Sequence, residues 1–229
     1  MQVAVIENVL KANDELAALN RQALRAAGVF ALDLIGAPGC GKTALLEATL
    51  PLLRPLRVGV IAGDLATQRD ADRIAPHAAQ VVQVNTGRGC HLEANHVHEA
   101  IQRLRLNDLN VLFIENVGNL VCPVGFDLGQ DVKVGVFSTA GGDDKAAKHP
   151  HLVHAAQLLV VTMSDLQPYV SFNFSRFDED VRRLNPEVTI LRVSARTGEG
   201  LTAWRQWIVD RLDRRAPAAT ATQPARVVG

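Results

Sequence analysis

The sequence predicts an α/β fold in which a mostly parallel sheet carries helices on both of its faces. Short apolar runs, typical of strands buried on both sides, alternate along the chain with segments of helical periodicity. A glycine-rich segment stands between the first of these runs and the helix that follows it. Because the carboxyl ends of parallel strands meet at one edge of a sheet, we expect ligands to bind beyond that edge.

The predicted elements follow the apolar periodicity along the chain. Leucines at helical spacing with charges between them predict a first helix, which Gly28 ends. Strands are predicted over residues 29–35, 57–61, 81–84, 111–114, 132–137, 158–161 and 188–193. Helices are predicted over residues 3–27, 44–53, 92–106, 177–184 and 201–214, with a loop over 116–130.

The chain of 229 residues is long enough for one substantial core, and 48% of its residues are hydrophobic. We expect residues 1–28 to form a helix packed on a domain of residues 29–214. The segment 215–229 is rich in Ala, Pro and Thr, and we expect a disordered tail there.

Charge and cysteine content exclude several classes of partner. The chain has 24 basic and 24 acidic residues, and this balance argues against nucleic acid and anionic membranes. No apolar run is long enough to span a membrane, and the first residues lack the pattern of a signal peptide. Three cysteines, an odd and sparse number, favour a reducing compartment, so we expect a cytoplasmic protein.

The glycine-rich segment 36–43, GAPGCGKT, matches the phosphate-binding pattern G-x-x-x-x-G-K-S/T between a strand and a helix. In this pattern Lys42 reaches the β- and γ-phosphates and the Thr43 hydroxyl ligates Mg²⁺. Cys40 is either a reactive thiol beside a helix N-terminus or simply a small loop residue. The alternative to a nucleotide site is a chance glycine-rich turn. We predict nucleotide contacts from Gly36, Gly39, Cys40, Gly41, Lys42, Thr43 and Ala44.

Two carboxylates, Asp64 and Glu115, follow predicted strands close to this segment. A carboxylate at a strand end can hold Mg²⁺, directly or through water, or orient the attacking water. Gly118 would let the backbone approach the γ-phosphate and move when it leaves. We predict catalytic roles for Lys42, Asp64, Glu115 and Gly118, with Thr43 and Asp64 at Mg²⁺; the alternative for both acids is a solvated loop position.

Cys90, His91 and Cys122 form a second set of candidate ligands. Thiolate and imidazole suit Zn²⁺ and Ni²⁺, but three ligands are too few for a closed tetrahedral site. A symmetric dimer could pool two sets across its axis. Because Cys122 follows Glu115 and Gly118 closely, one loop could sense the γ-phosphate and carry a metal ligand. The alternative is two loop thiols and an incidental histidine.

Several segments together resemble one family. Segment 115–123, ENVGNLVCP, resembles the signature of the hydrogenase nickel-incorporation GTPases, HypB, which are P-loop GTPases of the SIMIBI class. Segment 89–94, GCHLEA, is similar to that family's metal segment. Three more segments, 63–67, 142–145 and 194–198, resemble other parts of the family, and the similarity runs from about residue 13 to residue 207.

The resemblance implies a GTP hydrolase that works with Mg²⁺ and forms a nucleotide- and metal-dependent homodimer. We expect slow turnover, because no arginine finger can be assigned from the sequence. It implies that nickel passes toward the hydrogenase large subunit together with a small zinc-bearing nickel-chaperone partner. Cys90, His91 and Cys122 would be the ligands for Ni²⁺ or Zn²⁺. Residues 1–30 contain no Cys and no His, so the N-terminal metal motif of many members is absent and we expect no second tight nickel site.

The base-recognition segment departs from the family pattern. Where Asn-Lys-x-Asp is usual, segment 162–165 reads Thr-Met-Ser-Asp. Asp165 can still accept hydrogen bonds from guanine, whereas Thr162 cannot reproduce the paired donor and acceptor of an amide. Ser194 and Ala195 can offer backbone amides to the guanine oxygen. We expect a GTP binder that is weaker and less selective than its relatives, with GTP still ahead of ATP.

Two other functions compete with the GTPase metallochaperone. One is a catalytically weak P-loop scaffold that dimerises and has relaxed nucleotide specificity; the intact Lys42 and Thr43 argue against it. The other is a P-loop kinase with a small substrate, which the segment after Glu115 does not favour because it resembles a switch. Nickel-dependent GTP turnover, measured with and without phosphate acceptors, separates the three.

Overall fold

The computed structural model describes residues 2–63, 73–87 and 89–215 of the chain. Within these ranges, seven strands form one sheet in the order β3-β2-β4-β1-β5-β6-β7, and every adjacent pair is parallel. The strands are β1 (Phe30–Gly36), β2 (Val58–Ala62), β3 (Gln80–Gln83), β4 (Val111–Glu115), β5 (Val132–Ser138), β6 (Leu158–Thr162) and β7 (Thr189–Arg192). The predicted α/β fold with a parallel sheet is confirmed.

Helices cover both faces of this sheet, as the sequence predicts. In the described ranges they are α1 (Gln2–Ala26), α2 (Lys42–Thr49), α3 (Ala94–Gln102), α4 (Lys145–Lys148), α5 (Pro150–Ala155), α6 (Phe174–Leu184) and α7 (Leu201–Arg215). Helices α2 and α7 pack on one face. Helices α1 and α3 share the other face with α5 and α6. None of these helices is both long and apolar enough to cross a membrane.

The side chains of β1 alternate between the two faces. Leu32 and Leu34 point into the core under α2 and α7, whereas Ala31 and Ile35 point to the opposite face. Asp33 shares that opposite face by alternation and is 0% exposed. An ionisable residue thus lies inside a strand that is otherwise apolar and central to the sheet.

Helix α7 is joined to α2 by a buried indole. Trp204 is 0% exposed and lies with its ring centroid 6.3 Å from that of Phe113. Its Nε1 donates a hydrogen bond of 2.9 Å to Oγ1 of Thr49, the last residue of α2. The indole therefore fills the core and also satisfies its polar atom.

Several predicted helix boundaries differ from the observed ones, each for a local reason. The helix predicted over 44–53 begins at Lys42, and beyond Thr49 it tightens into a 3₁₀ turn, Leu50–Leu53, which contains a proline that cannot donate. The helix predicted over 92–106 is shorter, because Glu93 caps it in a reciprocal arrangement with His96 and it ends at Gln102.

The remaining differences lie in the second half of the chain. Helix α6 begins before the predicted residue 177, because the Asn173 side chain caps it by accepting from the Arg176 amide at 3.1 Å. Helices α4 and α5 are too short to give a periodic signal, and the sequence does not predict them. Beyond Arg215, the predicted tail lies outside the described residues.

Candidate functional site

The glycine-rich segment forms a tight loop between β1 and α2. Gly39 and Gly41 have φ angles of 70° and 86°, in the left-handed region that favours glycine. A Cβ atom on Gly36 would lie 2.6 Å from the carbonyl oxygen of Val136 and 2.5 Å from Sγ of Cys40. Glycine is therefore favoured at these positions for steric reasons that do not depend on a ligand.

Lys42 lies where the motif predicts it. Its Nζ is 3.2 Å from the carbonyl oxygen of Gly36 and 3.4 Å from that of Ala37, and the residue is 8% exposed. The ammonium group is thus held inside the loop by carbonyl acceptors. A cavity of about 390 Å³ opens beside it. Its lining includes Gly39, Gly41, Lys42, Thr43, Ala44, Glu115 and Gly118.

The structure brings Thr43 and Glu115 together. Strand β4 is the immediate neighbour of β1, with Leu34 opposite Glu115 in register, so the carboxylate reaches the loop that follows β1. Thr43 Oγ1 donates a hydrogen bond of 2.7 Å to Oε1 of Glu115, which is 2% exposed. Asp64, the second predicted carboxylate, lies outside the described residues.

Arg73 is a residue of this cavity that the sequence does not predict. It lines the cavity with Glu115, and its Nη2 is 2.5 Å from Oε2 of Glu47 on α2. It places a guanidinium, a good phosphate ligand, near the predicted phosphate position. Arg73 belongs to no recognisable motif, so only the folded chain reveals it.

The segment after Glu115 packs directly on the phosphate loop. A Cβ atom on Gly118 would lie 2.9 Å from Cα and Cγ of Pro38, so the backbones meet at a distance that only glycine allows. The Asn119 amide donates to the carbonyl oxygen of Gly36 at 3.0 Å. The predicted switch segment and the phosphate loop are thus in contact through their backbones.

A second cavity, of about 490 Å³, lies at the predicted base position and is lined by Asp165, Ala195 and Arg196, among others. Both carboxylate oxygens of Asp165 have protein donors, Ser194 Oγ at 2.6 Å and Arg196 Nε at 2.8 Å. These two bonds, Ser194 first, lower the pKa of Asp165. The backbone amide of Ser194 is already used in a hydrogen bond to the Glu199 carbonyl. Ser194 therefore contacts Asp165 through its side-chain hydroxyl and not through its amide.

The residues that replace the usual Asn-Lys pair have defined positions. Thr162 Oγ1 lies 2.5 Å from the carbonyl oxygen of Cys40 and 2.9 Å from that of Phe137, so its hydroxyl bonds to backbone beneath the base cavity. Met163 has a φ angle of 56° and lines the cavity. Cys40 is 4% exposed, and burial raises the pKa of its thiol. This environment favours the interpretation of Cys40 as a small buried loop residue.

Cys90, His91 and Cys122 meet in space. One ligand atom from each residue lies within 4.8 Å of the ligand atoms of the other two. Among the described residues, these three side chains form a group that could hold a metal ion. Cys90 Sγ is 3.5 Å from Nδ1 of His91, and the His91 ring packs on Phe126 with centroids 4.0 Å apart. Two thiols and one imidazole form a donor set suited to Ni²⁺ or Zn²⁺.

The protonation of this cluster reflects the contacts among its members. The Cys122 thiol, through a hydrogen bond, raises the pKa of Cys90, and burial adds to the effect. Burial lowers the pKa of His91, which favours the neutral imidazole that binds metals. Cys90 is exposed and Cys122 is partly so, and the cluster is therefore accessible from the protein surface.

Asn119 holds the two cysteine-bearing segments together. Its Nδ2 donates to the Cys90 carbonyl at 3.4 Å, and its Oδ1 accepts from the amides of Val121 at 2.8 Å and Cys122 at 3.3 Å. The same residue bonds to the phosphate loop through its backbone amide. One short segment is therefore part of both the phosphate cavity and the cysteine–histidine cluster.

Comparison with known proteins identifies a related family. The family model described as the CobW/HypB/UreG nucleotide-binding domain matches residues 31–192. The hydrogenase maturation factor HypB of Azotobacter chroococcum mcd 1 is 46% identical over 209 residues, which cover 90% of this chain and 68% of that protein.

Two solved structures are similar over most of their length. A crystal structure of the hydrogenase maturation factor HypB from Archaeoglobus fulgidus has a TM-score of 0.83 and 34% identity, covering 89% of this chain and 100% of that one. HypB from Helicobacter pylori, crystallised in complex with nickel, has a TM-score of 0.85 and 32% identity, covering 89% and 96%.

Proposed function

The chain belongs to the HypB family of hydrogenase maturation factors, within the CobW/HypB/UreG group, and we propose that it hydrolyses GTP to drive nickel insertion into nickel–iron hydrogenase. The observation that carries this proposal is the segment 115–122. It begins with the carboxylate that contacts Thr43 and ends with a thiol of the cysteine–histidine cluster. A nucleotide-driven metallochaperone needs such a connection between its two ligands.

Lys42 and Thr43 account for nucleotide binding in this proposal. The Lys42 ammonium exchanges its two carbonyl acceptors for phosphate oxygens, which carry full negative charge and bind it more strongly. The loop amides and the start of α2 orient toward the same phosphates. Arg73 lies close enough to the cavity to add a second cation there.

The residues around Thr43 fit Mg²⁺. Thr43 Oγ1 and Glu115 Oε1 are oxygen donors of the type that this ion prefers, and they lie 2.7 Å apart. Bound there with the nucleotide, Mg²⁺ would supply positive charge that offsets the negative charge of the phosphate groups. In this proposal Glu115 would orient the attacking water or hold Mg²⁺ through a water.

Nickel is the proposed cargo of the cysteine–histidine cluster. Cys90, His91 and Cys122 provide three ligands, and a second copy of the chain would complete a symmetric site. Val121, 64% exposed beside Cys122, offers apolar surface for such a contact. We propose a homodimer that depends on nucleotide and metal, nickel exchange with a small zinc-bearing chaperone, and delivery to the hydrogenase large subunit.

A second candidate function is a catalytically weak scaffold with relaxed nucleotide specificity. The base cavity favours it, because Thr162 bonds to the Cys40 carbonyl and Met163 replaces a lysine. Such a protein would dimerise through the same cluster without appreciable turnover.

Nickel-dependent GTP turnover tests the proposal. Phosphate release from GTP is measured with and without Ni²⁺, and with and without small phosphate acceptors, in wild type and in Lys42→Ala. We expect slow phosphate release from GTP that changes with Ni²⁺ and does not change when phosphate acceptors are added. In Lys42→Ala this release should fall by roughly 10²-fold or more. Lys148→Ala, an exposed lysine paired with Asp144, is the matched control. Binding of GTP without turnover would favour the scaffold function. Unchanged turnover in Lys42→Ala would overturn the assignment of segment 36–43 as the phosphate site.

A further inference from the structure

Asn116, the residue after Glu115, bonds to two separate parts of the protein through its side chain. It is 1% exposed and stands at the end of β4. Its Nδ2 donates to Oδ1 of Asp33 at 3.0 Å, and its Oδ1 accepts from the amide of Leu92 at 3.0 Å. Leu92 directly follows His91, so one buried amide connects the end of β4 to the loop that carries two of the candidate metal ligands.

Asp33 anchors the other end of this connection. It lies in β1, opposite Ile114 of β4, and is fully buried. Among the described residues its Oδ2 has no hydrogen-bond partner. Burying a carboxyl with an unsatisfied oxygen is unfavourable, and an apolar residue would fit the strand better. Asp33 belongs neither to the lining of the phosphate cavity nor to the cysteine–histidine cluster. Its hydrogen bond with Asn116 is therefore the contact that can explain a carboxyl at this position.

Leu92 is held on its second side by the end of β2. A Cβ atom on Gly63 would lie 2.7 Å from Cδ1 of Leu92, so the leucine side chain occupies the space that a larger residue would take. The Gly63 amide in turn donates to the Glu115 carbonyl at 2.8 Å. Leu92 therefore contacts the end of β2, which precedes Asp64, and is hydrogen-bonded to Asn116, which follows Glu115 at the end of β4. A displacement of either strand end would therefore act on Leu92, which is next to His91 in the chain.

We propose that Asn116 is a positioning residue that couples the nucleotide state to metal affinity. Its side chain fixes the backbone beside His91 to the strand whose last residue contacts Thr43. A change at Glu115 on nucleotide binding is thereby transmitted to the Cys90–His91 segment. The proposal rests on the proposed function, because it takes GTP and Ni²⁺ as the two ligands. Linkage requires the effect to be reciprocal, with metal binding changing nucleotide affinity by the same factor.

A purely structural role for Asn116 gives a different expectation, and Asn20 provides the comparison. Asn20 is also fully buried, and its Nδ2 lies within hydrogen-bond distance of the carbonyl oxygens of Ala94 and Leu128. It joins α1 to α3, through Ala94 and His98, and to the loop at Leu128. Among the described residues, its side-chain hydrogen bonds reach neither Glu115 nor the three candidate metal ligands. If buried amides contribute only stability, the Asn116 and Asn20 variants should lose similar free energy of unfolding and should leave the coupling unchanged.

The experiment measures Ni²⁺ affinity by competition with a chromophoric chelator in three states: nucleotide-free, with GDP and with a non-hydrolysable GTP analogue. For the wild type we expect the affinities to differ between nucleotide states by about 5- to 150-fold. In Asn116→Ala and Asn116→Ser the ratio should fall to within about threefold of one, with unchanged metal stoichiometry. Asn20→Ala should keep the wild-type ratio.

Two results would overturn the proposal: a wild-type ratio retained in both Asn116 variants, or a wild-type protein with no difference between nucleotide states. If the variants do not fold, amide hydrogen exchange at Leu92 in the wild type decides the matter. Protection of Leu92 that changes with nucleotide supports the proposal, and protection that does not change rejects it. Failure of the proposed function is distinct, because the wild type would then bind no GTP or no Ni²⁺.

Discussion

The hydroxyl of Thr43, in the first turn of α2, donates a 2.7 Å hydrogen bond to the carboxylate of Glu115, the last residue of β4. Thr43, which is predicted to ligate Mg²⁺, and Glu115, a predicted catalytic carboxylate, are therefore already in contact in the folded chain. Since Glu115 is 2% exposed, its position is fixed by packing as well as by this bond.

Glu115→Gln should lower GTP hydrolysis by roughly 10²- to 10³-fold while GTP affinity changes by less than about tenfold. The substitution keeps the size of the side chain and an oxygen for the Thr43 hydroxyl, but it removes the negative charge. Single-turnover phosphate release and titration of a fluorescent GTP analogue measure the two quantities. Equal losses in both would mean that Glu115 acts in binding rather than in the chemical step.

Cys122→Ala should reduce Ni²⁺ and Zn²⁺ affinity without unfolding the chain. It removes one of three donors that lie within 4.8 Å of one another, and Cys122 is only partly buried, so the cavity left behind is small. Equilibrium dialysis gives stoichiometry and affinity, and circular dichroism reports folding. Cys40→Ala, which removes a thiol outside the cluster, is the control for metal binding. An unchanged stoichiometry and affinity in Cys122→Ala would show that this residue is not a ligand.

GTP should compete better than ATP for a labelled nucleotide, but with weak discrimination. Asp165 lines the base cavity with its carboxylate oriented by Ser194 and Arg196, and it can accept from guanine. The missing hydrogen bonds at Thr162 should weaken GTP binding by about 1–3 kcal/mol, or about tenfold to a hundredfold. Asp165→Ala should remove the remaining preference. ATP binding as tight as GTP in the wild type would refute guanine recognition and leave the phosphate site unaffected.

Asp33 should make stability depend on pH. Burial raises the pKa of Asp33 from 3.8 to about 7, partly offset by the Asn116 hydrogen bond. Between about pH 4 and pH 7 the folded state keeps a proton that the unfolded state has released. The free energy of unfolding should therefore fall as pH rises through this window, by up to roughly 4 kcal/mol from this group.

Asp33→Asn removes that pH dependence, because an amide of the same shape does not titrate. Urea unfolding of wild type and variant at pH 4.5 and pH 7.5 measures it, with Asp213→Asn, an exposed position on α7, as control. We expect the variant to gain stability over the wild type at the higher pH. A difference that is constant with pH would show that Asp33 does not titrate in this range.

The parts of the site that are formed by residues adjacent in the sequence could be predicted from the sequence. The phosphate loop is local, and its glycines, Lys42 and Thr43 identify it directly. Strand ends in a parallel sheet share one edge, so Glu115 could be placed near this loop. Cys90 and Cys122 are far apart in the chain, and their pairing came from the family resemblance rather than from spacing.

Other contacts require the folded chain. Arg73 has no motif, and its contact with Glu47 on α2 joins residues that are far apart in the chain. The bonds from Asn116 to Asp33 and to Leu92 depend on the register of β1 and β4 and on the loop before α3, which no local pattern specifies. Asp33 is visible in the sequence as a charge within an apolar strand, but its partner is not. Helix boundaries moved where a cap or a proline outweighed the apolar periodicity, as at Glu93 and Asn173.

The hydrogen bond from Trp204 to Thr49 gives the protein an intrinsic optical reporter. The chain has two tryptophans, and Trp204 is the one buried against the helix that begins at Lys42. Indole emission responds to changes in hydrogen bonding and local field at the ring. Occupation of the phosphate loop acts on one end of a two-turn helix, and the indole contacts the other end. We therefore expect nucleotide binding to change the tryptophan fluorescence, which would follow binding in real time without a label in the base cavity.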